Sequence, residues 1–395
     1  MKTAVYVEGR TRLIVPKVSL EVIPPPTSPV FFNPAARLNR DVTVAITDGT
    51  EGGSFCDSMA GTGARGIRVA REAKGVREVT MVDFNRAALG MAKKAAALNR
   101  VAGKCEFAEA ETSSFLFSRY GREKRFDYVD VDPFGTPIGQ LQAALRATAD
   151  GGILSVTATD TAVLCGVYPE VARRRYGGTS LNNQFNHETA IRLLAGAVAR
   201  IGASIDIGTR PLASHSTRHY VRLYIRVFVG ASQADGALEE IGHVVWCPAC
   251  GEARESGEEV TTCQACGKKA KPAGPLWVGG LTEPGVLRSA ERSALKKGLS
   301  EAAKVLRSQF GSDDFPPWSF SLERISSLLG VVTAPEGRVR ARLKELGFSS
   351  MRTPYEKTGI KTDADYKQVV DTVKTAVGEV RGGRELRALP TARSG

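Results

Sequence analysis

"GSFCDSMAGTGARGIRVA" (Gly53–Ala70) is the stretch on which the reading of the fold turns. Gly53–Met59 is strand-like. Gly61, Gly63 and Gly66 follow in G-x-G-x-x-G spacing, and a helix is expected from about Ala64 to Ala73. A strand that runs into a glycine turn and then a helix lets the backbone approach a nucleotide-type ligand. The spacing alone serves nicotinamide, flavin and S-adenosylmethionine enzymes alike.

Two carboxylates separate those readings. Asp57 ends the first strand, just ahead of the glycines. It can receive the ammonium of a methionine moiety, whereas it would repel a pyrophosphate. Asp83 closes the next strand, where a carboxylate can bind two ribose hydroxyls. Together they favour a methyl donor over a dinucleotide, although Arg65 and Arg68 keep phosphate affinity open. After the third strand, in "AEAETSSF", Glu109 or Glu111 can reach an adenine amino group. A solvated loop carboxylate is the competing reading for each.

Outward from this stretch, strands alternate with helices. Strand-like Glu78–Phe84 and Lys104–Ala110 each precede a helix, and so does Phe126–Asp132, ahead of a further strand from Gly151. This alternation predicts an α/β fold, a doubly wound, Rossmann-like parallel sheet. Two extended runs, Ala203–His215 and His219–Gly230, are joined by so short a link that they pair antiparallel. The polar, glycine-containing "ASQADGALEE" reads as a connector. The expected division is a methyltransferase domain over 1–230, a smaller zinc-containing α+β domain over 231–380, and a flexible tail over 381–395.

"FDYVDVDPFGTP" (Phe126–Pro137) is the fourth strand and its exit. The strand alternation puts Asp130 and Asp132 on one face. A turn is the plain reading of Asp-Pro and Phe-Gly. At a strand end beside a donor cleft, the same residues suit chemistry on a ring-conjugated amine. Such an amine is a weak nucleophile because its lone pair is delocalised. Asp132 can accept an amine hydrogen and orient that lone pair. Pro133 fixes the chain with its carbonyl outward, Phe134 stacks on a planar base, and Gly135 makes room.

Seven motifs together resemble a family, the tRNA guanine-26 dimethyltransferases. They are "VFFNPAARLNRD" (Val30–Asp41), "GTGARGIR" (Gly61–Arg68), "DVDPFGTP" (Asp130–Pro137), "TATDTAVLCG" (Thr157–Gly166), "NHE" (Asn186–Glu188), "LWVGGL" (Leu276–Leu281) and "TGIKTDA" (Thr358–Ala364). The resemblance covers roughly residues 1–370. It implies transfer of one and then two methyl groups from S-adenosylmethionine to the exocyclic N2 amine of guanosine 26 in tRNA. It also implies that Asp132 is the catalytic carboxylate and that Phe31 and Phe134 flank the flipped base. Arg40, Arg65 and Asp83 then meet the methyl donor. The chain departs from the family's usual Phe-Tyr-Asn-Pro by carrying Phe32, and from its common Asp by offering Glu109 or Glu111.

A second motif stands apart. Cys247-x2-Cys250-x12-Cys263-x2-Cys266 places two thiolate pairs around one ion and predicts structural Zn2+. Four protein ligands leave no open position for catalysis. Cys56, Cys105 and Cys165 lie in apolar strand-like contexts, which suits a reducing cytoplasm. The charge of +12 suits a polyanionic partner, here tRNA. No apolar run reaches membrane-spanning length, and no protein partner is implied. The competing functions are an amino-methyltransferase acting on DNA adenine or rRNA, a zinc-dependent nucleic-acid-binding protein without catalysis, and a dehydrogenase.

Overall fold

The computed structural model describes residues 1–119, 124–217, 219–356 and 358–385. A hairpin of β1 (Thr3–Glu8) and β2 (Thr11–Pro16) precedes α1 (Arg37–Gly49). The alternation follows: β3 (Ser54–Asp57), α2 (Ala64–Glu72), β4 (Glu78–Asp83), α3 (Arg86–Leu98), β5 (Cys105–Glu109), α4 (Thr112–Phe117), β6 (Phe126–Val131), α5 (Ile138–Ala147) and β7 (Thr148–Ala158). Short helices α6 (Thr161–Leu164) and α7 (Pro169–Tyr176) lead to α8 (Asn186–Ala203) and the hairpin β8 (Ile207–Thr217) and β9 (Tyr220–Val229).

These strands form one seven-stranded sheet in the order β5-β4-β3-β6-β7-β9-β8. The first five are parallel and the last hairpin is antiparallel, as its short link requires. All four residues of β3 are buried, because helices cover both faces. The connection order reverses between β3 and β6, which places the end of β6 beside the glycine turn after β3. That reversal is where an open α/β sheet leaves a crevice for ligands.

The expected connector is a helix, α9 (Ala231–Glu239). Ala234 and Ala237 are buried against the first core, so tertiary burial overrides the polar local composition. A Cβ on Gly208 of β8 would lie 2.2 Å from the Gln233 carbonyl oxygen, so only glycine permits this approach. The first of the two extended runs also starts later than expected, at Ile207, because α8 continues to Ala203.

Beyond α9, β10 (Ile241–Trp246), β11 (Ala253–Ser256) and β12 (Lys271–Trp277) form a small sheet carrying the cysteines. Helices α10 (Pro284–Lys296) and α11 (Ser300–Arg307) return to the large sheet, where Leu287, Ala290 and Leu306 are buried with α1 residues in a cluster distinct from that of Ala237. A separate core then forms from β13 (Phe320–Ser321), α12 (Leu322–Leu328), α13 (Glu336–Glu345), β14 (Ser350–Arg352), β15 (Gly359–Thr362) and α14 (Tyr366–Glu385). Two helices lie between strands of a three-stranded sheet in the order β13-β15-β14. Helix α14 runs through Glu385, into the stretch expected as a tail; residues 386–395 lie outside the described residues.

A buried ion cluster joins this unit to the large sheet. Glu188 Oε1 of α8 accepts from Lys361 Nζ of β15 at 2.6 Å and from Arg192 Nη2 at 2.9 Å. Arg192 Nη1 also donates to the carbonyls of Trp277, Val278 and Gly279. Three motifs with no assigned task in the sequence, around Glu188, Trp277 and Lys361, therefore meet at one point. Removing one member of a buried pair strands a charge, but Arg192 remains beside Glu188. Lys361→Met is expected to lower stability by about 3 kcal/mol, at the low end for such losses, measured by urea unfolding.

Candidate active site

The C-terminal ends of β3, β4 and β6 converge on the glycine turn. Gly63 sits at φ +72, and a Cβ there would lie 2.7 Å from Ala92 of α3. Asp83 accepts from Gly61 N at 2.7 Å and from Asn85 N at 2.8 Å, fixing the loops on both sides. Asp57 is buried, and its Oδ2 accepts from Gly66 N at 2.9 Å at the opening of α2. Burial pushes its carboxyl up to about 7, with nearby Arg65 opposing that rise. Around Gly61 there is room, since a Cβ would meet only the Phe31 carbonyl oxygen, at 3.8 Å.

Asp132 follows β6, and its side chain is 28% exposed. Its Oδ2 pairs with Arg65 Nη2. Arg65 is buried and nearly saturated. Its Nη1 donates to Asn39 Oδ1 and Thr43 Oγ1, both at 2.8 Å, and its Nε lies 3.1 Å from Asp130 Oδ1. Asp130 is fully buried and pairs also with Arg222 of β9 and, at 2.8 Å, with Ser155 Oγ. Burial would raise the Asp130 carboxyl, but Arg222 and then Arg65 outweigh it and hold it low. Arg222 donates further to Thr157 Oγ1 at 2.6 Å. The partly open carboxylate thus stands on a buried ladder of alternating charge.

The expected aromatic pair is present. Phe31 and Phe134 have ring centroids 4.9 Å apart at 72°, and Phe134 is 69% exposed. The rings touch edge to face, and nothing fits between them in this arrangement. Gly135, at φ +79, exchanges hydrogen bonds with Thr159 and fixes the loop.

Other expected residues take different partners. Arg40 makes a two-pronged pair with Glu8 of β1, at 2.7 and 2.6 Å, and lies over the Phe32 ring. Glu111 caps α4 through Ser113 N and Ser114 N, whereas Glu109 is exposed and pairs with Arg86.

The sequence reading gave no role to Asp130, Arg222, Asn39, Thr43 or Glu8. One signal was available. Asp130 shares a strand face with Asp132 inside a buried strand, and a buried carboxylate requires a cation. Phe84 follows Asp83 directly, at the C-terminal end of β4, and is 81% exposed.

The four cysteine sulfurs lie within 4.8 Å of one another, with Cys247–Cys266 and Cys250–Cys263 each at 3.6 Å. Tetrahedral zinc, with Zn–S of about 2.3 Å, needs sulfurs roughly 3.8 Å apart, so these four fit it. Each knuckle closes with a backbone bond, Gly251 N to Cys247 O and Gly267 N to Cys263 O. A Cβ on Gly251 would strike the Tyr366 ring at 2.1 Å, so the first knuckle rests on α14. Zinc removal is expected to lower the melting temperature and expose β10–β12 to protease while donor affinity by calorimetry holds. An unchanged melt after complete metal removal would contradict this.

Comparisons with known proteins identify the family. Residues 9–374 match the family model of N2,N2-dimethylguanosine tRNA methyltransferases. A tRNA (guanine(26)-N(2))-dimethyltransferase of Methanosarcina acetivorans is 37% identical over 94% of this chain and 98% of its own length. The protein of the same name from Methanopyrus kandleri is 34% identical over 96% and 98%. Among solved structures, Trm1 from Pyrococcus horikoshii in complex with S-adenosyl-L-methionine is 28% identical. It aligns with a TM-score of 0.82 over 93% of this chain and 99% of that one. With the family model matching nearly the whole length and these relatives above 30% identity, this chain belongs to the N2,N2-dimethylguanosine tRNA methyltransferase family.

Proposed function

We propose that this chain methylates the exocyclic N2 amine of guanosine 26 in tRNA, once and then again, with S-adenosylmethionine as the methyl donor. The observation that carries the reaction is Asp132, partly exposed at the end of β6 with one oxygen already held by Arg65. The other oxygen is left to accept an amine hydrogen. As the nitrogen–carbon bond forms and the donor's carbon–sulfur bond breaks, the displaced amine proton passes to that oxygen. The donor supplies an activated methyl carbon. The protein supplies alignment, with nitrogen and carbon about 3–3.5 Å apart before reaction.

A guanosine inside a folded tRNA is stacked, so it must be flipped into the site. Phe31 and Phe134 receive it. A base between two parallel rings needs them roughly 7 Å apart, two van der Waals spacings, so the touching rings must separate first. Asp83 takes the ribose hydroxyls, Asp57 the donor's ammonium, and the exposed Phe84 lies against the adenine. Glu109 is favoured over Glu111 for the adenine amine, because Glu111 is committed to capping α4. Arg65 is assigned to positioning Asp132, and Arg40 to bracing the Phe31–Phe32 loop against β1.

The 231–380 stretch and the positive charge serve tRNA binding. No described helix is long and apolar enough to cross a membrane, and a tRNA substrate suits a cytoplasmic enzyme. The test is incubation with unmodified tRNA and labelled donor, followed by nucleoside digestion and position mapping. N2-methylated and N2,N2-dimethylated guanosine at position 26 are expected. Label on adenine, or at another position alone, would overturn the reading.

A further inference from the structure

Two concavities lie away from the strand-end cleft. One, of ≈ 300 Å³, is lined by Cys247 and Cys263 and belongs to the cysteine module. The other, of ≈ 490 Å³, is open and polar and lies between the loop Asn182–Gln184 and helix α12. One wall carries three amides, Asn182, Asn183 and Gln184. The other carries Arg324 and Leu328, with Glu323 the single acid in the lining. Asn183 Oδ1 accepts from Phe185 N at 3.1 Å, yet its Nδ2 is buried without a partner among the described residues. A buried amide donor without a partner is unfavourable, so the groove is incomplete as it stands. Leu328 is 67% exposed and offers a flat apolar contact.

The groove is continuous in the chain with the acceptor loop. Gly135 is bonded to Thr159, and Asp160 holds Tyr176 Oη at 2.6 Å and Arg175 Nη1 at 3.0 Å. Helix α7 therefore stands beside Phe134, and its Arg173, Arg174 and Arg175 are exposed. Arg173 faces Glu170, and Arg174 has no partner among the described residues. From α7 the chain runs directly into the amide loop.

We propose that this strip is a second contact surface for the tRNA substrate, separate from the guanosine pocket. Arg174 takes a backbone phosphate, and the groove takes one nucleotide whose base edge is read by the amides. Asn and Gln side chains pair donor and acceptor with base edges, and arginine suits phosphate. The volume falls in the usual range of about 300–1,000 Å³ for small-ligand sites, enough for a nucleotide. This inference rests on tRNA being the substrate.

The test uses the full chain, unmodified tRNA transcript and two variants, Arg174→Ala and Asn183→Ala. Affinity is read by fluorescence anisotropy over a series of salt concentrations, and donor affinity by calorimetry. Arg174→Ala is expected to weaken tRNA binding about three- to tenfold and to reduce the slope of log K against log salt by about 1. Asn183→Ala is expected to weaken tRNA binding about tenfold with the salt slope unchanged, the loss expected when one base-edge contact goes. Donor affinity stays at the wild-type value in both. Wild-type tRNA affinity and slope in both variants, with a wild type that methylates guanosine 26, would overturn this inference alone. A wild type that leaves tRNA unmethylated would remove the reading beneath it as well.

Discussion

Asp132→Ala is expected to lower kcat by about 10²–10⁴, the contribution typical of a positioned acid–base group, while tRNA affinity stays near the wild-type value. The side chain lies at the end of β6, partly open to the cleft, and its removal breaks no buried partner set. Arg65 keeps Asp130, Asn39 and Thr43, so its charge is not stranded. The two effects separate because the carboxylate acts on one hydrogen of one amine, whereas tRNA is held over many phosphates. Single-turnover methyl transfer with labelled donor, set beside binding by anisotropy, measures both. Equal loss of transfer and binding would show that Asp132 shapes the surface and does not act on the amine.

Asp130→Ala, two residues earlier, is expected to act mainly on stability. Asp130 is the only acid bridging Arg65 and Arg222 in the described contacts, and all three side chains are buried. Its loss leaves two guanidinium groups facing each other in the interior. Breaking a buried pair by deleting one partner costs about 3–5 kcal/mol, a large share of a typical folding free energy of about 5–15 kcal/mol. A large drop in the urea midpoint is the expected reading; a wild-type midpoint would show that the ladder contributes little. The pH dependence has a definite sign. Arg222 and Arg65 hold the carboxyl below its unfolded value. Its contribution is therefore present above an unfolded pKa of about 3.9 and is lost as pH falls through the lower folded value.

The alternation of strands and helices was legible because hydrophobic period and glycine turns are local properties. The cysteine spacing was legible for the same reason, since each pair forms one turn. Asp132 and Phe134 could be placed from one strand and its exit. Arg65 was expected to meet the methyl donor, and its partners among the described residues are Asp132, Asp130, Asn39 and Thr43. Those partners come from α1 and β6, and no local pattern encodes their meeting. Arg40 is similar, since Glu8 lies on a hairpin far away in sequence. The helix α9 was missed because burial of Ala234 and Ala237 overrode a polar, glycine-containing composition.

By itself the sequence determined the strand–turn–helix repeat, the paired Cys-x2-Cys spacing and the acidic strand end, all of which depend on neighbours within a few residues. Only the tertiary structure decided which charges neutralise one another. Glu188, Arg192 and Lys361 meet across the sheet and the C-terminal unit, and Asp130 gathers arginines from α2 and β9. The reason is energetic. A charge removed from water must find a counter-charge in space, and its partner's position along the chain is set by the fold.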